Sequence, residues 1–308
     1  MTSEAATRVV VVTGAGRGLG REHALALAQA GFAVVVNDLG GAGDGTGADQ
    51  TPAQTVVEEI KALGGQAIAD GSDVADWTAA GQMIENAVKT FGRLDGLVNN
   101  AGILRDRMLI NMSEQDWDLS IRVNLKGTAA PLHHAGRYWR DLSKQSGAPV
   151  SAAVVNTTSA SGLYAAVGQA NYASAKSGVA TLTLVAAREM QRYGVRVNCI
   201  APVAATRLTE GTMSEALREK FNPAQVAPMV VYLLSEASAH ITGHVFEVGA
   251  GVFVAVDTPR PIAGRRAPGS NLTLPFLEAE APGVAADVPA SLTSMDAMKF
   301  QNALPEPG

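Results

Sequence analysis

Three residues in the middle of the chain, with a fourth upstream, could together move a proton. They are Ser159, Tyr172 and Lys176, preceded by Asn124. Tyr172 and Lys176 stand at i and i+4, so on a helix their side chains share one face. An ammonium beside a phenol stabilises the phenolate and draws its pKa down from about 10 towards the working range of an acid–base catalyst. Ser159 ends the loop after an apolar run and can hydrogen-bond a reacting oxygen. A Tyr-x-x-x-Lys spacing alone occurs by chance in many helices. Its combination with a strand-end serine and a glycine-rich turn is what makes it specific.

That turn is Thr13-Gly-Ala-Gly-Arg-Gly-Leu-Gly20, between an apolar run and a helical pattern. Gly14, Gly18 and Gly20 permit a tight turn and let backbone N–H groups approach a pyrophosphate at a helix N-terminus. Arg17 and Leu19 complete the loop, and no Walker lysine follows, which argues against a nucleoside-triphosphate site. Asp38, at the end of the second apolar run, can accept hydrogen bonds from adenosine ribose hydroxyls and would repel a 2′-phosphate. It favours NAD. Arg17 could contact a 2′-phosphate or equally pair with Asp38. Asp73-Val74 and Asn100-Ala101-Gly102 close later runs, where open parallel sheets bind ligands.

The elements that must position these groups alternate. Apolar runs fall at Arg8–Val12, Ala33–Asn37, Gln66–Ala69, Leu94–Asn99, Val150–Asn156, Val195–Ile200 and His244–Val248. Most are unbroken, as expected of parallel strands covered on both faces. Helical patterns lie between them: Leu19–Ala30, Pro52–Leu63, Trp77–Phe91, Glu114–Leu142, Asn171–Tyr193 and Pro223–Leu234. The order predicts an α/β fold, a Rossmann-type doubly wound parallel sheet of about seven strands in a single domain over residues 1–255.

Composition narrows the classes. The 308 residues carry 24 basic and 29 acidic side chains, a formal charge of −5 that offers no basic surface for nucleic acid. Hydrophobic residues at 47% exclude wholesale disorder. The single cysteine, Cys199, and the histidines show no metal-ligand spacing, so no metal is expected. Residues 145–175 lack charge but are rich in Ser, Thr, Asn and Gln, which argues against a membrane span. Met1–Arg8 lacks the apolar core of a signal peptide, so the expected location is cytoplasmic. Arg105 and Arg107 could meet substrate phosphates, but a salt bridge with Asp106 is at least as good a reading. The three tryptophans, in helical patterns, read as packing, and Cys199 as a buried strand residue.

Residues 256–308 differ, holding 8 of the 14 prolines. They read as an extended tail, apart from a short helix that the pattern allows near Leu292–Ala297. Apolar residues such as Ile262, Leu272, Leu292 and Phe300 predict that it packs on the core or on a neighbouring subunit.

In the order TGxxxGxG, NNAG, Asn124, Ser159, YxxxK, residues 8–251 resemble the short-chain dehydrogenase/reductase family. The segments Val36–Gly41, Asn99–Arg107, Ser159–Gly162, Gly168–Tyr172, Ile200–Arg207 and Phe246–Gly251 are similar to a narrower group. That group is the (3R)-hydroxyacyl-CoA dehydrogenase domains of multifunctional enzymes type 2, also called 17β-hydroxysteroid dehydrogenases type 4. The resemblance implies NAD as cofactor, a homodimer or homotetramer, and oxidation of a 3-hydroxyacyl-CoA thioester or a steroid alcohol. It implies Tyr172 as acid/base and Lys176 as holder of the nicotinamide ribose and of the charge state of Tyr172. It further implies Ser159 as orienter of the substrate oxygen and Asn124 as support of a water relay. Where the family has Pro-Gly after the sixth strand, this chain has Pro202-Val203, which places Val203 at the nicotinamide amide. A non-catalytic NAD-binding protein is the rival from another class; it would need no proton relay.

Overall fold

The computed structural model describes residues 7–41, 43–47, 49, 51–204, 219, 221–257 and 274–286. Strands β1 (Val9–Thr13), β2 (Ala33–Asn37), β3 (Ala67–Asp70), β4 (Gly96–Asn99), β5 (Ala152–Thr157), β6 (Val195–Pro202), β7 (Val245–Gly249) and β8 (Val252–Val256) form one sheet in the order β3-β2-β1-β4-β5-β6-β7-β8. β1 to β7 pair in parallel, with Val10 opposite Val34 on one side and Gly96 on the other. The order reverses between β1 and β4, and a crevice at the carboxyl ends of those two strands follows from that topology.

Alternate residues of each strand feed opposite faces, and the sheet is covered on both. Val10, Val12, Val34 and Val36 pack with Ala24 and Leu27 of α1 (Gly18–Gln29), Val56 and Ile60 of α2 (Thr51–Ala62), and Val230 and Leu233 of α8 (Ala227–Leu234). Val9, Val11 and Val35 face the other way. They pack with Met83 and Ile84 of α3 (Trp77–Phe91), Trp139 of α5 (Gly127–Ser146) and Ala186 of α7 (Ala170–Met190). Trp139 is fully buried and donates its indole N–H to the Leu94 carbonyl at 2.7 Å. Trp77 and Trp117 keep 44% and 39% of their surface exposed, so only Trp139 is core. Cys199 is buried on β6, as expected.

The sheet has one strand more than the seven expected. Ala250 and Gly251 take φ of 53° and 79°, so both central residues of the two-residue link lie in the left-handed region. That is the requirement of a type I′ turn, and so short a link can only return β8 antiparallel to β7. The predicted helix Glu114–Leu142 is also divided. α4 (Glu114–Ser120), opened by a Ser113–Asp116 capping box, passes into a π-helical segment, Ile121–Lys126, and then into α5. A short helix, α6 (Ala160–Tyr164), follows β5.

By internal contacts the chain divides into two compact units, Met1–Ala255 and Val256–Gly308. The second is not wholly extended, contrary to expectation: Leu274–Ala286 forms helix α9, with Pro282 inside it. The helix allowed at 292–297 and most of the apolar tail residues lie outside the described residues. Among the described residues, no helix is long and apolar enough to cross a membrane.

Candidate active site

At the switch point the β1–α1 turn folds back on the end of β4. Thr13 Oγ1 accepts the N–H groups of Asn100 and Ala101 at 3.0 and 3.1 Å. Asn100 Nδ2 donates to the carbonyls of Thr13 and Gly14 at 3.0 and 3.1 Å. The turn is so close that a Cβ on Gly20 would stand 2.1 Å from the Gly14 oxygen, and one on Gly14 2.8 Å from Ala101 Cα. Gly14 and Gly18 also adopt φ of 62° and 52°. Gly20 is required for close approach, Gly18 for its backbone conformation and Gly14 for both.

The turn, β2, β3 and β4 enclose a cleft with about 1020 Å3 of open space. Of the cofactor residues expected from sequence, Gly14, Arg17, Leu19, Gly20, Asp38, Asp73, Val74, Asn100, Ala101 and Gly102 line it. Gly18, Tyr172, Lys176 and Val203 lie outside that lining. Val203 instead donates its N–H to the Val248 carbonyl at 2.8 Å. Asn37, Leu39, Gly41, Gly43, Gly45, Ser72, Ile103, Leu119, Arg122 and Val123 complete the cleft. Asn37 and Ser72 stand beside the expected Asp38 and Asp73, and the glycines belong to the glycine-rich stretch after β2, whereas Leu119, Arg122 and Val123 lie on α4 and the π-helical segment with no signal in their residue types.

Asp38 accepts the Gly16 N–H at 2.8 Å and the Gly40 N–H at 2.6 Å, so its two oxygens brace the turn as well as face the cleft. Arg17 donates to the Gly41 carbonyl at 3.4 Å; the alternative partner, Asp38, is satisfied by backbone. Asp73 is paired with Arg122 and accepts the Ala75 N–H at 2.8 Å. The first turn of α1 has no side-chain cap and no acidic residue, which leaves its amides and positive dipole end free for an anion. A glycine-walled cradle, an uncapped helix start and a carboxylate on β2 fit a dinucleotide.

The residues expected from sequence to handle the proton adjoin this cleft at Gly102. A Cβ there would stand 2.7 Å from Asn124 Oδ1 and 3.5 Å from Lys176 Nζ. Asn124 is fully buried in the π-helical segment, a device frequent at functional sites. Its amide donates to the Ile103 and Ser120 carbonyls, both at 3.0 Å, and its Oδ1 accepts the Ile103 N–H at 3.2 Å. Tyr172 and Lys176 share one face of α7, as the spacing required, and Lys176 Nζ lies 5.6 Å from the Tyr172 ring centroid.

The electrostatics differ from the expectation of a lowered phenol pKa. Burial pushes Tyr172 up to about 12; a hydrogen bond with the Ser159 side chain acts the other way, and the Asp106 charge adds to the rise. Lys176, 2% exposed, is drawn by burial down to about 8 and donates to the Thr157 carbonyl at 2.8 Å. The ammonium lies 5.6 Å from the ring centre and is hydrogen-bonded to a backbone carbonyl, and burial prevails.

One other reading changes. Arg105 pairs with Asp116 at 3.3 Å, not with Asp106, and Arg107 donates to the Asp106 carbonyl at 3.0 Å. His133 and His134, adjacent on α5, both meet Trp77, with ring centroids 4.8 and 5.6 Å away. Among the described residues, no group of three or more His, Cys, Asp or Glu side chains could hold a metal ion.

The chain was compared with known proteins. The family described as short chain dehydrogenase matches residues 8–220. The peroxisomal multifunctional enzyme type 2 of Drosophila melanogaster is 47% identical over 244 residues, which is 79% of this chain but only 39% of the fly protein. The hydroxyacyl-CoA dehydrogenase ChsB1 of Mycobacterium tuberculosis is 42% identical over 269 residues, 84% of this chain and 82% of that protein. A crystal structure of a short chain dehydrogenase from Mycobacterium avium superposes with a TM-score of 0.83 at 46% identity, covering 93% of this chain and 97% of that one.

Proposed function

The chain belongs to the short-chain dehydrogenase family, and from that premise we propose that it interconverts a (3R)-3-hydroxyacyl-CoA and its 3-ketoacyl-CoA with NAD. The observation that carries the substrate class is the likeness to a hydroxyacyl-CoA dehydrogenase along 82% of that protein's length. NAD is chosen over NADP because Asp38 brings a carboxylate to the cleft where a 2′-phosphate would have to sit. Bound between Gly14, Gly20, Asp38, Val74 and Asn100, the dinucleotide supplies the hydride acceptor or donor.

The chain's own residues handle the proton. In oxidation the phenolate of Tyr172 takes the hydroxyl proton of the substrate as the carbon-bound hydrogen leaves as hydride; in reduction the phenol returns it. Ser159, at the end of the loop after β5, orients the same substrate oxygen. Lys176 stabilises the phenolate and holds the nicotinamide ribose, and Asn124 fixes the segment after β4 against the end of α4. The placing of Lys176 Nζ 5.6 Å from the Tyr172 ring centroid supports this division of labour.

The test is a comparison of kcat/KM, with NAD, for a (3R)-3-hydroxyacyl-CoA, its 3S enantiomer and a 17β-hydroxysteroid. The 3R thioester should be preferred over both. Turnover of the steroid with none of the thioester would overturn the substrate assignment.

A further inference from the structure

β2 and β4 flank β1, and the dinucleotide cleft opens at the carboxyl end of β1, between them. The glycine-rich chain that leaves β2 is bonded to the segment that leaves β4. Leu104 N–H donates to the Gly43 carbonyl at 3.1 Å, and Arg105 Nε donates to the Asp44 carbonyl at 2.9 Å. To reach those partners it has to cross the cleft, and Gly41, Gly43 and Gly45 line it. Its base is closed where the Asp49 N–H donates to the Leu39 carbonyl at 2.9 Å. The stretch is a strap over the half of the cleft that holds Asp38.

The residue types suit a strap that lies directly on a ligand. Every second residue from 41 to 47 is glycine, so the wall it gives the cleft is backbone, with no side chain to hold a ligand off. A Cβ on Gly45 would stand 2.9 Å from Ile103 Cδ1 and 3.4 Å from Leu119 Cδ2, so the tip rests on the far bank. Asp44 Oδ1 accepts the N–H and hydroxyl of Thr46 at 3.0 and 2.8 Å, which folds the tip on itself and leaves the Asp44 carbonyl to Arg105.

Arg105 is held from two more sides. Its Nη1 pairs with Asp116 Oδ1 at 3.3 Å, and Asp116 is itself fixed by the Ser113 hydroxyl at 2.7 Å. Its carbonyl accepts Asn171 Nδ2 at 2.9 Å. One side chain thus ties the strap to the first turn of α4, while its backbone is tied to α7.

We propose that Arg105 is a positioning residue that latches the glycine-rich strap, and that the latched strap gates entry and exit of the dinucleotide. This rests on the reading of the cleft as the dinucleotide site. Every link of the latch is protein to protein, so it can form with or without a ligand beneath. An interaction made equally in both states leaves affinity alone and alters only the rate of passage.

The test compares wild type with Arg105→Gln, which cannot fork between Asp44 and Asp116. Stopped-flow fluorescence gives the association rate of NADH, and displacement by excess NAD gives its dissociation rate. Hydrogen exchange of the Leu104 amide is followed in protein free of cofactor. Both rate constants and the Leu104 exchange should rise by about tenfold or more, the loss of one charge-assisted hydrogen bond, while Kd moves by less than about threefold. Exchange of the Val34 amide, inside the sheet, should not change. Asp116→Asn keeps the capping oxygen and loosens only the grip on the guanidinium. It should show the same pattern at smaller size, and it decides the matter if Arg105→Gln does not fold. Unchanged rates and exchange, or a weaker Kd with unchanged association, would overturn the gate while leaving the cleft as the dinucleotide site. Failure of the wild-type protein to bind NADH or NADPH would overturn that reading, and the gate with it.

Discussion

Lys176 Nζ donates to the Thr157 carbonyl at 2.8 Å and stands 5.6 Å from the centre of the Tyr172 ring, so one buried ammonium serves both the end of β5 and the phenol beside it. The same burial that lifts the Tyr172 pKa to about 12 lowers that of Lys176 to about 8. The pair is thus poised with both partners disfavouring charge, and bound cofactor and substrate must change that balance for Tyr172 to ionise.

A stability consequence follows for Lys176. Its folded pKa of about 8 lies below the unfolded value of 10.5, so between those pH values the unfolded chain binds more protons and this residue's contribution to stability rises with pH. Other groups titrate there too, including Cys199, so the measurement is a difference. The melting temperature of Lys176→Met minus that of wild type should fall as pH goes from about 7.5 to 10.5. A difference that stays flat or rises would show that Lys176 is not held in the low-dielectric setting described.

His23 makes the acid-side counterpart. It is fully buried on α1, neither ring nitrogen has a hydrogen-bond partner, and burial draws its pKa down to about 3. Below pH 6.5 the unfolded chain takes up a proton that the folded chain refuses, so stability is lost as pH falls. At pH 5 the loss from this residue is about 2 kcal/mol. His23→Leu should flatten the decline of melting temperature between pH 7 and 5, and an unchanged slope would contradict the assignment of a neutral, unpartnered ring.

Asp38→Asn tests cofactor choice with less damage than removal of the side chain, since an oxygen remains for one of the two amides that Asp38 accepts. The ratio of kcat/KM for NAD to that for NADP should drop by about ten- to a hundredfold, the worth of a charge-assisted hydrogen bond. Wild-type enzyme that used NADP as well as NAD would mean that Arg17 outweighs Asp38.

Gly20→Ala places a methyl group 2.1 Å from the Gly14 oxygen and 2.5 Å from Asn100 Nδ2, both part of the turn itself. Dinucleotide binding measured by calorimetry should be lost or weakened by at least tenfold, with an overpacking cost of about 1–3 kcal/mol in stability. Full-strength binding would place the dinucleotide elsewhere.

Much of this arrangement is legible in the residues. Unbroken valine runs dictate doubly covered parallel strands, and the glycine spacing before α1 dictates the close turn, because only those residue types satisfy those sterics. What escapes has physical causes. The π-helical segment around Asn124 is a shift of hydrogen-bond register, and no residue type marks it. β8 hides behind Ala250, a residue that seldom takes positive φ and gives no turn signal. α9 contains Pro275 and Pro282, which read as breakers although a proline in the first turn is tolerated. Asp106 sits between two arginines, and its nearest neighbours in sequence obscure its partner in space, Gln169.

The central claim is that Tyr172 carries the proton, and Tyr172→Phe tests it most directly, measured as single-turnover reduction of the cofactor alongside calorimetric NAD binding. The ring stays in place and only the hydroxyl is lost. Turnover should fall by about 10²–10⁴-fold while NAD affinity holds within about threefold. A variant that keeps more than about a tenth of the wild-type rate with NAD affinity unchanged would contradict the account, because a general acid–base contributes at least a hundredfold.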